Sequence, residues 1–133
     1  MFGFWIQSED VDHLGRQHED LTDSWGYMTE AFGIPVWVRG STYMRRARTD
    51  PLPDLPVVMI TSQVAQIPGT VSLADFTHPD ECLYWFGGSN ENIREEPPNV
   101  IAKVYIPVDE MHSPQAGAIV AWDRLIRHGQ SDN

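Results

Sequence analysis

The sequence holds one cysteine, Cys82, which excludes an intrachain disulfide. Cys82 stands just before an apolar run and reads as a buried thiol rather than a nucleophile. Basic residues are scarce: nine Lys and Arg face nineteen Asp and Glu, for a formal net charge of -10. Such a chain has no broad surface for gripping nucleic acid nonspecifically, because neutralising phosphates needs clustered Lys and Arg. A local patch is still allowed, and Arg39, Arg45, Arg46 and Arg48 crowd into one short segment. No stretch approaches the about 18 apolar residues of a membrane span. The opening "MFGFWIQSED" has neither a basic start nor a long apolar core, so it is not read as a signal peptide, and a soluble, reducing, cytoplasmic setting is expected. Gly-x-Ser-x-Gly, P-loop and Cys-x-x-Cys motifs are absent, which leaves hydrolase, NTPase and redox readings without support. There is no internal repeat and no low-complexity tract.

What remains is a globular composition: 133 residues, 41% hydrophobic and 11% aromatic, enough for one domain with a modest core. "FGFWIQ" reads as a strand, and "SEDVDHLGRQHED" as a loop or helix entry. Thr22 or Asp23 is a candidate cap for a helix running to Gly33, with Trp25, Met28, Ala31 and Phe32 on its apolar face. "IPVWV" is a second strand. "PLPDLP" cannot be helix interior. "VVMITS" and "CLYWF" read as strands buried on both faces, "SLADF" as a helical turn capped by Ser72, and "VIAKVYIPV" as a further strand. In "SPQAGAIVAWDRLIRHG", Ser113 is the N-cap, Pro114 opens the helix and Gly129 stops it. Strands alternating with helices or crossovers predict an α/β domain with a mainly parallel sheet flanked by helices.

Ligands of such sheets bind beyond the carboxyl ends of the strands. Three ends carry suggestive chemistry: "ITSQ", "FGGSNEN" and "IPVDEMHSPQ". Gly87 and Gly88 serve either as a tight turn or as bare backbone against which a ligand can lie.

The ordered series "EAFGIPVWV", "VVMITS", "SLADFTHPDECLYWFGGSNENI" and "VYIPVDEMHSPQAGAIVAWDRL" resembles the SpoU-type branch of the SPOUT, or trefoil-knot, RNA methyltransferases, over nearly the whole chain. No one motif is specific; the order of the four carries the likeness. The resemblance implies a single SPOUT-like domain with a C-terminal trefoil knot, a homodimer, and S-adenosylmethionine held in the knot loops. Carried over by position, the cofactor-binding residues are Ile60, Thr61, Gly87, Gly88, Ile106 and Met111, with main-chain groups reading the adenine edge.

The chain also departs from that family. Its Asn-x-Gly-x-x-x-Arg pattern falls on Leu21 and Tyr27, leaving Arg16 as a substitute cation only if the helix is displaced. The glutamate of the glycine loop is Ser89. The Ser-Leu-Asn triplet falls on Glu110-Met111-His112, or in a second register on Ser113-Pro114-Gln115, and the asparagine is missing in both. His112, Tyr27 and Arg16 are therefore the candidate catalytic residues, and Arg45, Arg46 and Arg48 the candidate RNA contacts, with Tyr43 a possible stacking partner. Two functions stay open: an S-adenosylmethionine-dependent tRNA or rRNA methyltransferase, with ribose 2′-O the family's usual target, and a non-catalytic dimer binding a nucleotide-like ligand or a protein. His13 and His18 among acidic neighbours fit no metal-ligand spacing. "THPDEC" reads as a turn, and Asp123 with Arg124 as a solvated or interface ion pair.

Overall fold

The computed structural model describes residues 1–7, 17–39, 47–62, 69–86, 97–108 and 113–128. Its elements are β1 (Phe2–Gln7), α1 (Gln17–Phe32), β2 (Val36–Arg39), β3 (Val57–Ser62), β4 (Val71–Ser72), a 3-10 turn (Leu73–Asp75), β5 (Cys82–Phe86), β6 (Val100–Ile106) and α2 (Ser113–Arg127). The strands form one six-stranded sheet in the order β2-β1-β5-β3-β6-β4. Every pairing is parallel, so the fold is α/β as the alternation of elements predicts.

The strand alternation divides the core in two. Phe4, Ile6, Val58, Ile60, Tyr84, Phe86, Val104 and Ile106 share one side of the sheet with Trp25 of α1 and Ala116 and Val120 of α2. Trp5, Trp37, Met59, Leu83 and Trp85 form a second layer on the other side, against which Leu55 of the proline-rich segment packs. β5 is buried along its whole length, which is why "CLYWF" shows no polar alternation.

α1 starts at Gln17, ahead of the expected Thr22 or Asp23 cap. The segment from Gln17 has no apolar period, which is why the sequence places the start of the helix too late. Its buried stripe also differs. Ala31 is exposed, while Thr29 is buried. Thr29 faces the core at little cost because its hydroxyl donates to the Trp25 carbonyl at 2.8 Å. The helix ends as predicted at Gly33, with φ of 70°. There the Gly33 N–H donates to the Glu30 carbonyl and the Ile34 N–H to the Thr29 carbonyl, a complete Schellman closure. Ser72 caps the 3-10 turn, its hydroxyl accepting from the Ala74 N–H at 3.3 Å.

The two helices meet closely at Gly117. A Cβ there would fall 2.5 Å from the Trp25 ring and 2.7 Å from the Met28 methyl, so only glycine lets α2 approach α1 this far.

Candidate functional site

The sheet order sets β3 between β5 and β6, and this brings the three suggestive strand ends side by side. Ile60 pairs with Phe86, Thr61 with Tyr105 and Ser62 with Ile106. Ile60 and Ile106 give their side chains to the helix-side core, so main-chain groups are what they can offer a ligand. Thr61 alternates to the other side of the sheet, the side that holds Met59 and Trp85. It is 7% exposed, and its hydroxyl has no hydrogen-bond partner among the described residues. A buried hydroxyl left unpaired costs roughly 1–3 kcal/mol. Such a group at the carboxyl edge of a parallel sheet fits a ligand that would complete its bonding.

Gly87, Gly88, Met111, His112, Arg16, Arg45 and Arg46 lie outside the described residues, as do Tyr43 and Ser89. Tyr27 is described, and the structure does not bring it to the strand ends. α1 runs from the carboxyl ends of the strands back towards their amino ends, and Tyr27 lies about 15 Å along it from Gln17, 63% exposed on the outward side. Arg48 lies beside the edge strand β2, where its N–H donates to the Val36 carbonyl at 2.7 Å. Its guanidinium donates to both Asp50 carboxylate oxygens, at 2.9 and 3.2 Å, and lies over the Trp37 ring. The pair is exposed and so exchangeable, because surface ion pairs gain little.

A second polar constellation lies at the opposite, amino-terminal end of the strands. Sequence reading missed it, since its members stand far apart in the chain. His78 is buried, with Nδ1 2.7 Å from the Tyr84 hydroxyl and Nε2 2.6 Å from an Asp123 carboxylate oxygen. Arg124 donates to the Tyr84 hydroxyl and to the carbonyls of Pro79 and Asp80, and stacks over the Phe2 ring at 4.0 Å. Arg127 donates to Asp123 and to the carbonyls of Leu73 and Ala74. Asp123 and Arg124 are thus neither solvated nor paired with one another: Asp123 pairs with His78 and Arg127, and Arg124 is buried.

Burial pushes the His78 pKa below its ordinary value, against the opposing hydrogen bond to Asp123. Partial burial alone would raise Asp123, but hydrogen bonds from Arg127 and His78 outweigh it and hold the carboxyl below the usual range. Burial pushes the Tyr84 phenol far up, so it stays protonated. The His78 ring, Arg124 and Arg127 are all engaged with the protein, and the network holds α2 against the 73–80 segment.

Among the described residues no cluster of three or more His, Cys, Asp or Glu is arranged to hold a metal ion. No helix among them is long and apolar enough to cross a membrane. Comparison with known proteins finds no family model that matches the chain and no match among characterised proteins.

Proposed function

We propose that this chain is a SPOUT-like dimer that binds S-adenosylmethionine at the carboxyl ends of β3, β5 and β6 and directs its methyl group to RNA. The observation that carries the reading is the adjacency of those strand ends. The strands that lead into the three segments resembling cofactor loops, far apart in sequence, are neighbours in the sheet. The donor supplies a methyl group already activated on a sulfonium sulfur. What the chain must do is hold the donor, align the acceptor and take up its proton. Main-chain groups at Ile60, Thr61 and Ile106, with the glycines after Phe86, are assigned to holding. His112, at the junction of β6 and α2, is assigned to the proton. Arg45, Arg46 and Arg48 are assigned to phosphate, Arg48 by exchanging Asp50 for it.

The dimer is proposed through α2. Ile119, Trp122, Leu125 and Ile126 are exposed at spacings of three and four, opposite the residues that face the core. A C-terminal knot belongs to the same proposal, with α2 gripping the 73–80 segment through Arg124 and Arg127.

The placement of Tyr27 favours the second reading, a dimer that binds the nucleotide-like ligand without catalysis. Tyr27 stands where the resemblance would put a catalytic arginine, yet it faces outward and away from the strand ends.

Calorimetric titration with S-adenosylmethionine and S-adenosylhomocysteine tests both readings. Saturable binding of one ligand per chain, abolished by Gly88→Val, is expected. No binding by folded protein at millimolar ligand would remove the methyl-donor reading. Binding without methyl transfer to transcribed tRNA and rRNA would select the second.

A further inference from the structure

Val would fill the space of Thr61 with the same branched shape and suit a buried strand better, because it brings no hydroxyl to satisfy. The threonine is therefore a cost to the free fold. The residues nearest it on its side of the sheet are mostly apolar and aromatic, with Lys103 of β6 paired to Met59 the charged exception. Met59 lies two positions back on the same strand, Trp85 is paired with Met59, and Tyr105 is the direct partner of Thr61. Trp85 and Trp5 stack edge to face at 4.9 Å and extend that surface. A flat ring suits such surroundings, and one hydroxyl that can both donate and accept suits a ring nitrogen beside an amino group. The β-branch limits the side chain's rotation, so the direction of the hydroxyl is set before the ligand arrives.

We propose that the Thr61 hydroxyl is the side-chain group that orients the ligand at the ends of β3, β5 and β6, by hydrogen bonding to a purine-type heterocycle. This assignment rests on the methyl-donor reading above and adds to its main-chain contacts a side-chain one that sets specificity. It also makes a claim about the free protein, namely that the hydroxyl has no partner there.

The test compares wild type with Thr61→Val and Thr61→Ser in thermal unfolding without ligand, and in calorimetric binding of S-adenosylhomocysteine and adenosine. Thr61→Val is expected to unfold at the wild-type temperature or above it, and to bind both ligands about tenfold more weakly. Thr61→Ser is expected to retain most of the affinity. A lower unfolding temperature for Thr61→Val overturns the proposal, because the hydroxyl then has an internal partner. Wild-type affinity in Thr61→Val overturns it as well. Weakened S-adenosylhomocysteine binding with unchanged adenosine binding overturns the heterocycle assignment. A wild-type protein that binds neither ligand overturns the methyl-donor reading and this assignment together.

Discussion

His78 Nε2 lies 2.6 Å from Asp123 Oδ2, which ties the turn before β5 to the last helix across 45 positions of sequence. The rest of the network bears on where the proton sits. Arg124 donates to the Tyr84 hydroxyl, which keeps its own proton to offer His78 Nδ1, and the Asp123 carboxylate can only accept from His78 Nε2. Burial favours the neutral ring, and the tautomer with its hydrogen on Nε2 suits both partners. A second proton on the ring would crowd a third cation beside Arg124 and Arg127 and take the acceptor from Tyr84.

Stability should therefore fall with acid. The folded pKa of His78 lies below its ordinary 6.5, so the unfolded chain binds more protons as pH drops. The contribution of His78 is complete above pH 6.5 and shrinks as pH falls from there towards the folded pKa. Asp123, also held below its ordinary 3.8, gives up its share lower still. Urea unfolding followed from pH 8 to pH 5 is expected to show a declining midpoint, and His78→Gln to flatten the decline. An equal slope in the variant would remove His78 from the account.

Arg124→Met should destabilise by about 3 kcal/mol, because it leaves the Tyr84 hydroxyl and two main-chain carbonyls short of their donor. Arg124→Lys should recover only part, since an ammonium cannot reproduce the planar fork. Chemical denaturation of both variants measures this; a loss under 1 kcal/mol for Met would mean that water replaces the arginine.

Gly117→Val should cost about 1–3 kcal/mol by driving the Trp25 ring out of its seat between the helices. Trp25 also stacks on Phe4 and Phe86, so the displacement reaches the centre of the sheet. Denaturation midpoint and tryptophan fluorescence report it together. A variant as stable as wild type with an unshifted spectrum would show that α2 can back away freely.

Trp122→Glu is expected to turn the proposed dimer into a monomer in sedimentation velocity while the far-ultraviolet circular dichroism stays unchanged. Trp122 is 56% exposed and takes no part in the buried face of α2, so the fold should tolerate the charge. A wild-type protein that already sediments as a monomer would refute the dimer.

Much of this fold could be read from residue order. Continuous apolar runs marked β1, β3 and β5, because strands buried on both sides leave no polar alternation to confuse them, while β6, half-exposed and carrying Lys103, was marked by its β-branched and aromatic residues. Gly33 and Pro114 marked helix boundaries for local reasons that need no tertiary contact. The start of α1 was less visible, since "QHEDL" offers charge without period. Thr29 displaced Ala31 from the buried stripe because a hydroxyl can bond back to its own helix, an option that hydrophobicity counting omits. β4 is two residues long and exists only because β6 lies beside it. The His78 network was the least legible. "THPDEC" and "WDRL" are ordinary alone, and their meaning depends on two segments meeting in space. Of the candidate site, adjacency of the strand ends emerged from sheet order, and the unpartnered Thr61 hydroxyl from burial.

The strand order also dictates a sequence of assembly. β1 and β2 can pair early, joined through α1, but Phe2 pairs with Cys82 and Val58 with Ala102. The middle of the sheet must wait for β5 to insert between β1 and β3, and α2 cannot be clasped until the 73–80 segment is in place. Contacts this distant close large loops before they return any stabilisation, which slows folding. α2 is made after all six strands, and until it and β5 are in place the half-built sheet would present β1 and β3 as open edges.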